Sequence, residues 1–178
     1  PYGAYGWWPC KQQLVDKIDS FDMDVHIPNG NKAAGIGVLS AVDTLADSSL
    51  IFRWKHRHPI STYLVAVAVS NYYEESHYIP LSGGDSVFHL DYIYPAYKPQ
   101  ADTLRLAIDG MMRTFDSLFG DYPFKNEKHG HAMFGRGGGM EHQTMSFMAH
   151  LKFDLMAHEL GHQWFGDKIT CGSWQDLW

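Results

Sequence analysis

The chain has 178 residues, a formal net charge of −6, and 45% hydrophobic and 15% aromatic residues. That is enough for one domain with a sizeable core, or for parts of two, and it excludes a disordered polymer. The acidic balance argues against nucleic-acid binding, which needs basic patches; no apolar run approaches the about 18 residues of a membrane span.

Residues 1–10 are aromatic and rich in Gly and Pro, with Tyr2, Tyr5, Trp7 and Trp8, and read as an irregular packed segment. Phe21, Met23, Val25 and Ile27 then alternate with Asp22, Asp24 and His26, the period of a half-buried strand. Pro28, Asn29, Gly30 and Asn31 supply turn chemistry. Residues 35–42 and 49–54 read as further strands, joined through 43–48. The basic run 53–58 reads as a solvated strand face. Residues 61–70, rich in Val with Tyr and Thr, are the best strand of this half, and their apolar continuity implies burial on both faces. Within them the longest apolar run, 63–69, has only strand length. No helical period appears before residue 95, so residues 1–83 read as all-β.

Residues 81–85, Leu-Ser-Gly-Gly-Asp, are a plausible boundary. Residues 87–92 read as a strand. The period then changes. Leu104, Ala107, Ile108, Met111, Met112, Phe115, Leu118 and Phe119 recur at helical spacing, predicting an amphipathic helix over 101–119 that stops at Gly120. A strand over 128–134, a glycine-rich loop over 135–139, a strand-like run over 140–147 and a helix over 153–165 complete an α+β second half, 84–178. The glycine loop matches neither phosphate-binding pattern. It reads as a flexible turn, or as backbone that approaches a ligand closely, with the Glu141 carboxylate beside it. Cys10 and Cys171 form no metal-binding pair and read as packed thiols.

The helix over 153–165 carries the chemistry. Its sequence His158-Glu159-Leu160-Gly161-His162 places two imidazoles one turn apart on one face. So placed, they can bind one Zn²⁺ at about 2.0–2.1 Å per Zn–N bond. Glu159, roughly 100° around the helix, flanks the metal and can take a proton from a water held there. This is the H-E-x-x-H pattern of metalloproteases. The alternative is an amphipathic helix with two histidines on a half-buried face.

Residues 138–142, Gly-Gly-Met-Glu-His, followed by His158-Glu159-Leu160-Gly161-His162-Gln163-Trp164-Phe165-Gly166-Asp167, resemble the aminopeptidase N family of zinc peptidases, a gluzincin family. That family pairs a G-x-M-E-N segment with H-E-x-x-H-x18-E. Residues 8–10, 61–66 and 173–178 are similar to it in the same order, so the likeness extends over essentially the whole chain. It implies an α+β fold in which residues 1–83 are the later part of an N-terminal β domain. Residues 84–178 are then the first part of a thermolysin-like catalytic domain.

The resemblance also implies roles. His158 and His162 would be two of three ligands of one zinc ion, and Glu159 the general base. Glu141 would anchor the substrate's free α-ammonium. Gly138, Gly139, Met140 and His142 would line the peptide beside it. The implied activity is release of N-terminal residues from peptides by attack of metal-activated water. An epoxide-hydrolase branch and a non-catalytic scaffold on the same fold are the alternatives; intact His158, Glu159, His162 and Glu141 argue against the scaffold.

Two departures stand out. His142 occupies the usual Asn position, which implies an altered first-residue preference. The third ligand would stand about three residues beyond Trp178. The chain also begins with Pro1 and not Met, and both ends read as cut. These 178 residues are therefore expected to be an incomplete enzyme with poor zinc retention and little peptidase activity.

Overall fold

A computed structural model describes residues 3–176; Tyr2, and Leu177 and Trp178 of the final resembling stretch, lie outside the described residues. The fold is α+β. Strand β1 (Phe21–Ile27) shows the expected alternation, with Phe21, Met23 and Val25 turned inward and Asp22, Asp24 and His26 outward. It pairs antiparallel with β4 (Leu50–His56), which pairs in turn with β3 (Val38–Thr44). The basic run splits as the strand pleat requires: Lys55 and Arg57 are exposed, while His56 is buried against Glu127, 2.7 Å away.

Residues 35–42 are not one strand. β2 (Lys32–Gly35) ends before Gly37, whose φ of +77° turns the chain and whose missing Cβ leaves room for the Lys55 carbonyl. A side chain there would collide with backbone, so the position requires glycine. Residues 61–70 also differ from expectation. Ser61 to Ala66 form a buried irregular segment with a 3-10 turn at Thr62–Leu64. Only β5 (Val67–Ser70) is strand; it pairs with β2 and leaves Val69 exposed. The apolar run is continuous because its first half fills the core as a loop, and not because a strand is covered on two faces.

Strands β6 (Tyr73–Pro80) and β7 (Ser86–Ile93) form an antiparallel hairpin whose turn is the 81–85 stretch. They open a five-stranded sheet in the order β6-β7-β8-β10-β9, completed by β8 (His131–Met133), β9 (Gly139–Met140) and β10 (Ser146–Met148). The hairpin thus unites strands from both sides of the expected boundary. The run 140–147 is not continuous strand: it breaks between β9 and β10, where Thr144 takes a φ of +70°. β9 is the outermost strand, paired on one side through Gly139–Met148 and Met140–Phe147.

Helix α1 (Lys98–Phe119) buries Ala101, Ile108, Met111 and Met112 and ends at Gly120. Leu118 and Phe119, assigned by periodicity to the apolar face, are exposed, although Phe119 still meets Phe165 at 5.1 Å between ring centroids. Helix α2 (Phe153–His162) lies against α1, β9 and β10. Cys10 and Cys171 are free, half-buried thiols.

Candidate metal and substrate-binding site

Helix α2 starts from an extended Lys152 and carries Asp154 in its first turn, where an acid suits the helix dipole, and His162 in its last. Met156, Glu159 and Leu160 face the core, leaving His158 and His162 toward the open side. The two imidazoles stand nearly perpendicular, with their Nε2 atoms 3.1 Å apart. Ligand nitrogens at about 2.0–2.1 Å in a tetrahedral zinc shell lie roughly 3.3 Å from each other, so the pair fits one ion. The His162 Nδ1–H donates to the Phe165 carbonyl at 3.0 Å. That bond fixes the tautomer and leaves the Nε2 lone pair for the metal.

Glu159 lies beneath the edge strand at 3% exposure. A Cβ on Gly139 would stand 2.2 Å from Glu159 Oε1, so any larger residue would force β9 or this carboxylate to shift. Burial, reinforced by the neighbouring Glu141 charge, lifts the Glu159 carboxyl to about 7. Its Oε2 has no hydrogen-bond partner among the described residues. A buried carboxyl poised near neutrality is suited to proton transfer, and a cation on the adjacent imidazoles would draw it toward the ionised form.

Glu141 follows β9 directly and is half-buried. The Tyr63 phenol hydrogen-bonds its side chain; burial and the Glu141 and Asp167 charges hold that phenol neutral. Asp167 is 1% exposed, and among the described residues neither of its oxygens has a partner. Its pKa is raised well above the usual carboxylate range by burial and by Glu141. Three carboxyl groups gathered under low exposure make a place where a cation is favoured.

The structure therefore brings His158, Glu159, His162, Gly139 and Glu141 together. Gly138 is exposed and accepts the Ala149 amide at its carbonyl, 2.9 Å away, and Met140 is half-buried beside it. His142 turns elsewhere: its Nδ1–H donates to the Leu64 carbonyl at 3.1 Å and its ring stacks edge-on against Phe147. Burial lowers its pKa to about 4, so it stays neutral. Sequence reasoning gave no role to Tyr63, Asp167 or Gln163. Asp167 and Gln163 lay inside the motif stretch, and their burial was the missing signal; Tyr63, in a run of strand-like residues, gave none.

An α+β fold with a histidine pair on one helical turn and a glycine-bordered carboxylate across from it is an arrangement suited to a zinc metallopeptidase site. Comparisons with known proteins agree. Residues 138–178 match the peptidase family M1 domain. Leucine aminopeptidase 2 of Kluyveromyces lactis is 29% identical over 159 residues, covering 79% of this chain and 22% of that protein. Aminopeptidase B of Mus musculus is 23% identical over 97% of this chain and 26% of its own length. The M1 zinc metallopeptidase of Deinococcus radiodurans superimposes with a TM-score of 0.82 at 25% identity, over 99% of this chain and 41% of that one. Over residues 138–178 the chain is thus similar to peptidase family M1, and over nearly its whole length it shares the fold of an M1 zinc metallopeptidase. It spans about a quarter of the length of these curated relatives.

Proposed function

We propose that the chain carries the metal-holding and amine-anchoring half of a zinc aminopeptidase site. The observation that carries this reading is the 3.1 Å approach of the His158 and His162 Nε2 atoms beside a buried Glu159. His158 and His162 would hold the metal. Zinc, when bound, supplies a Lewis acid that polarises the scissile carbonyl and acidifies water. Glu159 takes the proton of the attacking water and passes it to the leaving amine. The open edge of β9, at Gly138, Gly139 and Met140, offers backbone groups to an extended peptide.

Glu141, with Tyr63 and Asp167 near it, receives the substrate's α-ammonium. An internal peptide segment has no charge to place there and would leave the carboxylate unpaired, which disfavours endopeptidase cleavage. The two-unit division, 1–83 as β domain and 84–178 as the start of a thermolysin-like catalytic domain, belongs to the same proposal, with the β6–β7 hairpin straddling the join. Catalytic zinc uses three protein ligands plus water, and these residues supply two.

The test uses the protein expressed from its complete gene. Hydrolysis of an aminoacyl anilide that is lost on chelation, restored by zinc and absent for the N-acetylated substrate supports the reading. Equal rates on free and N-acetylated substrates would contradict it.

A further inference from the structure

Gln163, the residue after His162, is fully buried, and its side chain crosses from the end of α2 to the 141–144 loop. Its Nε2 donates to the Glu141 carbonyl at 3.5 Å and to the His142 carbonyl at 3.4 Å. Its Oε1 accepts the Thr144 amide at 2.8 Å and the Tyr122 hydroxyl at 3.3 Å. One amide thus engages three backbone groups of the loop.

The loop needs such a hold. Thr144 sits at a φ of +70°, which a β-branched residue keeps only where its surroundings over-determine it. Besides Gln163, the Gly37 amide donates to Thr144 Oγ1 at 2.8 Å, and the buried Lys128 ammonium donates to the Thr144 carbonyl at 3.1 Å. Thr144 is therefore pinned from the β-rich half, from the segment before β8 and from α2. Of these three anchors, only Gln163 also bonds the backbone of Glu141 and adjoins a histidine of the pair.

We propose that Gln163 is a positioning residue that fixes the spacing between the His158/His162 pair and Glu141, and so sets the register of one residue between the amine anchor and the scissile bond. The inference rests on the proposed role of Glu141. Gln163 does not touch substrate; it acts by holding the Glu141 and His142 carbonyls, one in each of the peptide groups that flank the His142 Cα. Its removal should therefore weaken recognition of the free amine more than it weakens proton transfer at Glu159. A displacement of about 1 Å in such a site costs on the order of 100-fold.

The test compares four variants of the zinc-loaded protein expressed from its complete gene: Gln163→Met, Gln163→Glu, Glu141→Gln and the double change Glu141→Gln/Gln163→Met. The readouts are KM and kcat on an aminoacyl anilide, calorimetric affinity for an amino-acid amide against its N-acetylated form, zinc content, and deuterium exchange at the Thr144 amide. Gln163→Met should raise KM about 10-fold or more, change kcat by less than about 3-fold, keep its zinc and speed exchange at Thr144. The same change added to Glu141→Gln should cost almost nothing further, because two residues acting through one interaction are not additive. Gln163→Glu keeps the shape and the acceptor contacts to Thr144 and Tyr122, and it carries the comparison if the Met variant fails to fold. A full additive loss in the double variant, or a fall in kcat at unchanged KM, overturns the proposal while leaving Glu141 as the anchor. A Glu141→Gln variant with unchanged KM and amide affinity removes the anchor itself, and this inference with it.

Discussion

The three-stranded sheet β1-β4-β3 and the α2 site treat charge in opposite ways. On the sheet, Arg53 pairs with Asp24 and Asp43, and Arg57 pairs with Asp22, all on side chains about half exposed. Each acid faces an arginine, and water screens both. Around α2, Glu159 and Asp167 are buried, lack hydrogen-bond partners on at least one oxygen among the described residues, and are pushed toward the neutral form by burial and by Glu141. Surface pairs of the first kind contribute about 0–1 kcal/mol each. Buried, underpaired carboxyls cost stability, and a positively charged ligand beside them would offset that cost.

The comparison breaks most sharply at Glu159. Glu159→Gln should lower hydrolysis on the order of 100- to 10,000-fold in the complete protein while zinc content holds, as expected for removal of a general base; steady-state rates with parallel metal analysis check it. Because the carboxyl is disfavoured where it sits, the same variant should be as stable as the parent at pH 8 or more so. A thermal melt showing marked destabilisation would mean that the carboxylate is better satisfied than its surroundings indicate.

Gly139→Ala sharpens the same point from the strand side. The new methyl would start 2.2 Å from Glu159 Oε1, so β9 or the carboxylate must move. Overpacking of this kind costs about 1–3 kcal/mol. Activity should fall with it, whereas a neutral effect on both denaturant midpoint and rate would contradict the close approach.

Lys128 gives a pH test at the seam between the regions. Its ammonium lies 5.3 Å from the Trp54 ring centroid, and burial lowers its pKa from 10.5 to about 7. The unfolded chain binds this proton up to about pH 10.5 and the folded chain only up to about pH 7, so stability from this group rises across that interval. The advantage of Lys128→Met over the parent, or its deficit, should therefore shift in the parent's favour between pH 7 and 10 in urea unfolding. A constant difference would place the ammonium in a more hydrated setting. The smallest effect belongs to the sheet: Arg53→Ala should barely move the urea midpoint despite losing two ion pairs, because solvent screens both, and a large shift would contradict that screening.

How much of this was legible in the sequence follows the same division. β1 announced itself because its inward positions are Phe21, Met23 and Val25, and α1 because its apolar residues recur at helical spacing. The pair His158/His162 with Glu159 was readable from helical spacing, whereas the place of Gly139 and Glu141 beside them came from the family resemblance; the structure gathers all five. β6 was not readable, because its helix-facing positions are polar: Glu75 reaches Arg105 and His77 bonds Asp109 on α1, which erases the apolar alternation. The 61–66 segment misled because an irregular stretch can be as apolar as a strand when the core closes around it. Gln163 and Thr144 left no local signal, since their roles depend on residues far along the chain meeting in the fold.

The most direct measurement is X-ray absorption at the zinc edge on the zinc-loaded protein expressed from its complete gene, alongside His158→Ala and His162→Ala. The account predicts a scattering shell containing two imidazoles at about 2.0–2.1 Å, and each alanine change should lose the bound zinc. A shell without paired imidazoles, or full zinc retention after either substitution, would contradict the claim that these two rings hold the metal.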